Sequence, residues 1–305
     1  MKVIEPVAVT DAELMASNVP PTGYAPWDAV ATYANGARVY KAAVPGRAYR
    51  TVYESQVVGN IAKDPAKDDG TNWLEIGATD RFLAFDRKIA SQVNRATSIT
   101  YSINPPSLIT GIAFFGLDAQ SVRVQIYDAS AALVYDLTKS LVDTTEIVDW
   151  FSFCTWAGDY DTEAMFIGVP GYSGHQIDIT ISAPTGTASV GQIVLGQVHA
   201  LGGTQDGTGL GIDDYSIKDR DDFGNALLIE RAFAQTVNFQ FYLPTRDARR
   251  VHRILSRLRA TPSVYFAGED MIEYGTSVFG FFQDFDIPLS ASGTSYATLQ
   301  IEGLV

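Results

Sequence analysis

Val237-Asn238-Phe239-Gln240-Phe241-Tyr242-Leu243-Pro244 alternates core-type and outward-type side chains and stops at a proline. Directly after it, Val251, Ile254, Leu255 and Leu258 recur at offsets of three, four and seven. Alternation with period two puts successive side chains on opposite faces of a strand, whereas offsets of three and four line one face of a helix. Pro244 has no N–H to give a ladder and Pro262 cannot continue a helix, so each marks a boundary. The period change predicts a strand followed by a single packed helix, the signature of an α+β domain.

Working outward, strand signals return at 263–267, 279–289 and 297–304, where Leu299 and Ile301 alternate with Thr298, Gln300 and Glu302. Before the long strand, residues 202–211 hold five glycines and read as a linker, because glycine loses the most backbone entropy in a regular element. Upstream again, Val122, Val124 and Ile126 face away from Arg123 and Gln125, and Ile177, Ile179 and Ile181 alternate with Asp178 and Thr180. With turn residues at 104–106, 128–130, 171–174 and 184–186, this predicts a β-sandwich of jelly-roll type. Residues 22–80, rich in aromatics, Gly and Asp, predict a small β module. Residues 1–21 predict an arm with a strand-like start and a short helix from Asp11, capped by Thr10 or Asp11 and closed by Pro20, Pro21, Gly23 and Pro26. The expected protein is mainly β and multidomain: arm 1–21, small module 22–80, sandwich 81–201 and α+β domain 202–305.

The 305 residues suffice for two or three cores, and 46% hydrophobic with 19% charged residues is ordinary for a folded chain. Twenty-two basic against 35 acidic residues give a net charge of -13, which disfavours nucleic acid and anionic membrane and suits a basic partner surface. Cys154 is the only cysteine, which excludes an intramolecular disulfide and a cysteine-held zinc. Glu5, Asp11 and Glu13 interrupt the start, so no leader or membrane span is expected there.

Two resemblances follow from particular residues. Trp27, Tyr33, Gly36, Val39, Tyr53, Ser55, Pro65 and Trp73 are spaced as in the chitinase-type carbohydrate-binding module, which the region resembles over about fifty residues. The sandwich carries Gly111-Ile112-Ala113-Phe114-Phe115 and Ser121-Val122-Arg123-Val124, and the last domain carries Asp214-Tyr215-Ser216, Asp222-Phe223-Gly224 and Phe279-Gly280-Phe281-Phe282. In this order they resemble the minor tail proteins of siphophages. That resemblance implies a structural part of the virion tail tip or baseplate, made in the host cytoplasm. Its partners would be tail tube, hub and fibre proteins and further copies of itself, with attachment to a host glycan as an added duty.

Candidate sites divide accordingly. Trp27, Tyr33, Tyr53 and Trp73 would stack on a pyranose, or else form the core of a small domain that has no disulfide to hold it. On the helix, Arg246, Arg249, Arg250, Arg253 and Arg257 form one stripe opposite the apolar face. It predicts a protein interface with an acidic surface, ahead of DNA in the tail, or else a solvated face. Asp64, Asp68, Asp69 and Gly70 crowd a turn without the spacing of a calcium loop, and capping of local N–H groups is the favoured reading. Asp213 to Asp222, with Lys218 and Arg220 interleaved, predicts a surface loop or an inter-subunit ion-pair network.

No enzyme, cofactor or metal is expected. His175, His199 and His252 are dispersed, Gly171-Tyr172-Ser173-Gly174 lacks nucleophile-elbow spacing, and Asp159, Asp161 and Glu163 are poorly placed to face each other across a sugar. The alternative function is a host-surface carbohydrate-binding protein; a polysaccharide-degrading tail enzyme ranks third.

Overall fold

A computed structural model describes residues 1–42, 49–145, 147–156, 158–171, 175–220, 224–268, 275–290 and 293–304. The protein is mainly β and multidomain, with one helix of any length, Ala248–Leu258. Its residues fall into two compact units, neither a continuous span: Met1–Pro6, Thr110–Ile112 and Val194–Val305 form one, and Val7–Ile109 with Ala113–Ile193 the other. Among the described residues no helix is long and apolar enough to cross a membrane.

The first unit is built on an antiparallel sheet in the order Gln192–Ala200, Lys2–Pro6, Ser263–Phe266, Val278–Asp286, Thr294–Gly303, Phe233–Pro244. The deciding stretch behaves as its period predicts: Val237, Phe239, Phe241 and Leu243 are fully buried and meet Val251, Leu255 and Leu258 of the helix in one core with Leu299, Ile301 and Tyr265. One sequence expectation needs correction here. Residues 202–211 are no free linker, since Gly203–Thr204 and Gly209–Asp214 are strands paired with Phe233–Pro244. The glycines serve close approach: a Cβ on Gly202 would lie 2.4 Å from the Tyr242 carbonyl oxygen, and one on Gly203 2.5 Å from the Tyr242 ring. The strand-like start expected of residues 1–21 is a strand of this sheet, Lys2–Pro6, with Val3 and Ile4 fully buried.

The second unit contains a five-stranded antiparallel sheet in the order Leu133–Ser140, Ser121–Tyr127, Gln176–Val190, Val93–Ile103, Leu14–Ser17. Its register stacks the alternating residues in rows, Val122–Ile181–Ile99, Val124–Ile179–Tyr101 and Ile126–Ile177–Ile103, all buried. The turn expected at 184–186 is a bulge within one long strand, where the pairing with Val93–Ile103 shifts between Ala183 and Thr187. No helix starts at Asp11; the backbone makes a turn there and enters the strand Leu14–Ser17, with Glu13 accepting from the Thr10 N–H at 2.8 Å.

The small module lies within this unit and has its own sheet, Ala25–Pro26, Arg38–Lys41, Thr51–Ser55 and Trp73–Ala78. Asp68 holds its last turn by accepting from the backbone N–H groups of Gly70, Asn72 and Trp73.

Candidate functional site

The four aromatics of the small module come together, but as a core. Tyr53 and Trp73 retain 4% and 2% of their exposure and pack with Val39, while Trp27 and Tyr33 close over them half-buried. Tyr33 meets Trp73 edge-on at 5.2 Å, and the Trp73 indole N–H donates to the Lys63 carbonyl at 2.9 Å. A sugar ring needs a free face, and the faces of Tyr53 and Trp73 are covered, so neither is a stacking platform. Trp27 keeps some surface, with the Lys41 ammonium 4.8 Å from its ring centre.

The carboxylates of the 64–70 turn are caps. Asp64 accepts from the Ala66 N–H and pairs with Lys41, whose ammonium, the largest influence, holds its carboxyl below the usual range. Asp69 accepts from the Thr71 N–H at 3.1 Å. In the 213–222 segment, Asp214 pairs with Lys218 at 2.5 Å and accepts from the Ser216 N–H; these bonds, Lys218 first, keep it well below the usual carboxylate range. Asp221, Asp222 and Phe223 lie outside the described residues, as do Tyr172, Ser173 and Gly174.

The histidines stay apart. His175 is buried in the second unit; His199 lies 2.9 Å from Glu5 in the first; His252 is exposed on the helix beside Ser256. Asp159 sits opposite Asp143 on a short strand pair, and Asp161 follows it, pushed up by partial burial and then by those two neighbours. Glu163 begins the strand Glu163–Ile167. An open depression of about 370 Å³ at the end of the five-stranded sheet is lined by Asn104, Tyr127, Asp128, Gln176 and Asp178. Its carboxylates already have donors: Ser130 and Ala132 for Asp128, Ser102 and Gln176 for Asp178.

Arg249, Arg250, Arg253 and Arg257 are exposed on the helix, while Arg246, expected on it, is exposed on the short 3-10 turn Thr245–Asp247 that leads into it. Two are tied down, Arg257 to Glu5 at 2.5 Å and Arg250 to the Ala200 carbonyl at 2.9 Å. Arg246, Arg249 and Arg253 have no side-chain partner among the described residues.

Two surfaces escape the sequence reading. The hairpin Ile217–Arg220 with Ala226–Ile229 stands outside the main sheet, and Leu227, Leu228 and Ile229 are all exposed, Leu228 at 71%. Three consecutive apolar residues on a strand occupy both faces and so follow no period of two. The helix Trp150–Thr155 exposes Trp150, Phe151 and Phe153 on different sides. The helix is only six residues long, and half of them are large aromatics left in water. Comparison with family models, with curated proteins and with solved structures gives no match.

Proposed function

We propose that the chain is a non-enzymatic structural component of a bacteriophage tail tip or baseplate, working by assembly with further copies and other tail proteins, and through them serving attachment to the host. The observation that carries this reading is the strand pair Ile217–Arg220 and Ala226–Ile229. A two-stranded hairpin is marginal in water by itself, and this one turns leucines outward on both faces. Covering each such side chain gains about 1.5–3 kcal/mol, a gain open only to a complex. The free arginines of the helix and the tail-protein-like order of domains point the same way. Assembly ranks above sugar recognition because Tyr53 and Trp73 are committed to a core.

Virions assembled with and without the gene test this. The chain should be found by mass spectrometry in purified particles, and its loss should give particles defective at the tail tip. Intact, infectious particles lacking the chain would defeat the reading.

A further inference from the structure

Val142–Asp143 pairs with Asp159–Tyr160, and between these short strands the chain makes an excursion that carries the helix Trp150–Thr155. The helix is capped locally. The Asp149 carboxylate accepts from the Ser152 N–H at 2.7 Å, the Ser152 hydroxyl accepts from the Asp149 N–H at 3.0 Å, and Trp156 packs against Tyr160. The result is a set of aromatic side chains held outward, with Trp150 78%, Phe151 63% and Phe153 66% exposed.

The charge carried by this stretch of sequence is of one sign. Residues 142–163 contain six acids and no Lys, Arg or His, and no Lys or Arg stands anywhere between Lys139 and Lys218. An exposed aromatic group on an acidic stretch repels an anionic lipid headgroup and suits a cationic protein face. The same chain carries such a face. From Ser140 to Val305 it has nine Lys and Arg in all, and six of these lie between Arg246 and Arg259.

We propose that the acidic, aromatic excursion of one copy docks on the arginine face of the helix Ala248–Leu258 of a second copy. Guanidinium groups suit both partners there: they lie flat on aromatic rings and fork onto carboxylates. Arg249 and Arg253, exposed and uncommitted among the described residues, take the central contacts, with Trp150 and Phe153 as the anchors opposite. Aromatic and arginine residues are the types that dominate interface energetics. Every copy offers both halves of the contact, so two copies exchange them reciprocally in a closed pair or pass them on in a ring or string. The inference rests on the assembly reading above and names the partner of two surfaces within it.

Sedimentation velocity of the full chain tests it with two variants whose changes are confined to exposed residues. One is Trp150→Ser with Phe153→Ser, the other Arg249→Glu with Arg253→Glu. The wild type should form dimers or larger species, less so in high salt. Each variant alone should self-associate at least about thirty-fold more weakly, the scale of losing an interface hot spot, with unchanged circular dichroism and melting. Mixed one to one, the two variants should form a dimer and nothing larger, because each pair retains one intact contact. A monomeric wild type, variants that assemble like wild type, or a mixture that stays monomeric would each overturn the pairing. So would flotation with phosphatidylcholine vesicles abolished by the Trp150 variant while self-association stays intact. Oligomers indifferent to both variants would remove this contact alone, since the tail-tip reading is judged separately by particle composition.

Discussion

Trp73 and Trp150 are the same residue type in opposite circumstances. In the small module Tyr53 and Trp73 are turned inward, Trp73 to 2% exposure with its indole N–H on a carbonyl, and the turn around it is held by a carboxylate. On the 144–158 excursion and the 217–229 hairpin, Trp150 and Leu228 stand at 78% and 71% exposure, although the local backbone is just as well capped and paired. Apolar surface left in water by an ordered backbone is the kind that another macromolecule covers. The module's aromatics therefore bear on stability, and those of the excursion and hairpin on association.

The largest expected effect lies on the buried side. Trp73→Ala removes a large core side chain and strands the Lys63 carbonyl, so it should cost about 3–5 kcal/mol, read by chemical denaturation of the purified chain. The matched Trp150→Ser should shift stability by less than about 0.5 kcal/mol. Equal effects would erase the distinction between the two regions.

Buried order has a polar cost as well. Asp86, 4% exposed, has its carboxyl pushed up to about 6 by burial, with the Lys88 backbone N–H and ammonium pulling the other way. The folded state thus holds the proton more tightly than the unfolded chain, whose aspartates titrate near 3.9. This group's contribution is most favourable below that value, declines as pH rises to about 6, and is flat above. Asp86→Asn should remove the decline, gaining up to about 3 kcal/mol at pH 8 relative to wild type, measured as the difference between two stability-against-pH curves. Next in size, Asp68→Ala leaves the N–H groups of Gly70, Asn72 and Trp73 without their acceptor and should cost about 1–2 kcal/mol, with Asp68→Asn milder because it keeps one oxygen. Thermal melting is sufficient to rank the pair.

Much of the scaffold was legible because periodicity reports burial. The alternations at Val237–Leu243, Val122–Ile126 and Ile177–Ile181 and the three-and-four recurrence at Val251–Leu258 all mark buried faces. The arginine stripe was legible for the same reason, as the complement of that helical face. Glycine spacing misled: the entropy cost at 202–211 is real, but a Cβ clash with Tyr242 shows that the strand register requires glycine there. The aromatics of the small module were ambiguous in principle, because a binding face and a minimal core draw on the same residues, and only the packing of Tyr33 and Trp27 over Trp73 and Tyr53 separates them. The excursion and hairpin were silent because their apolar residues follow no period, and period was the signal in use.

The smallest effect in the isolated chain is the one that tests that last point. Leu228 is 71% exposed on a hairpin outside the main sheet, so Leu228→Ser removes almost no contact and should move the melting free energy by no more than about 0.5 kcal/mol. If the hairpin is a docking element, the same substitution should sharply lower incorporation of the chain into particles, because the 1.5–3 kcal/mol or so available from covering a leucine is then lost. Melting of the free chain and quantitative mass spectrometry of particles, made on the same variant, give two numbers that should diverge. A drop of more than about 1 kcal/mol in the free chain would mean that Leu228 is already packed, and the contrast between inward and outward aromatics and leucines would then fail at its outward end.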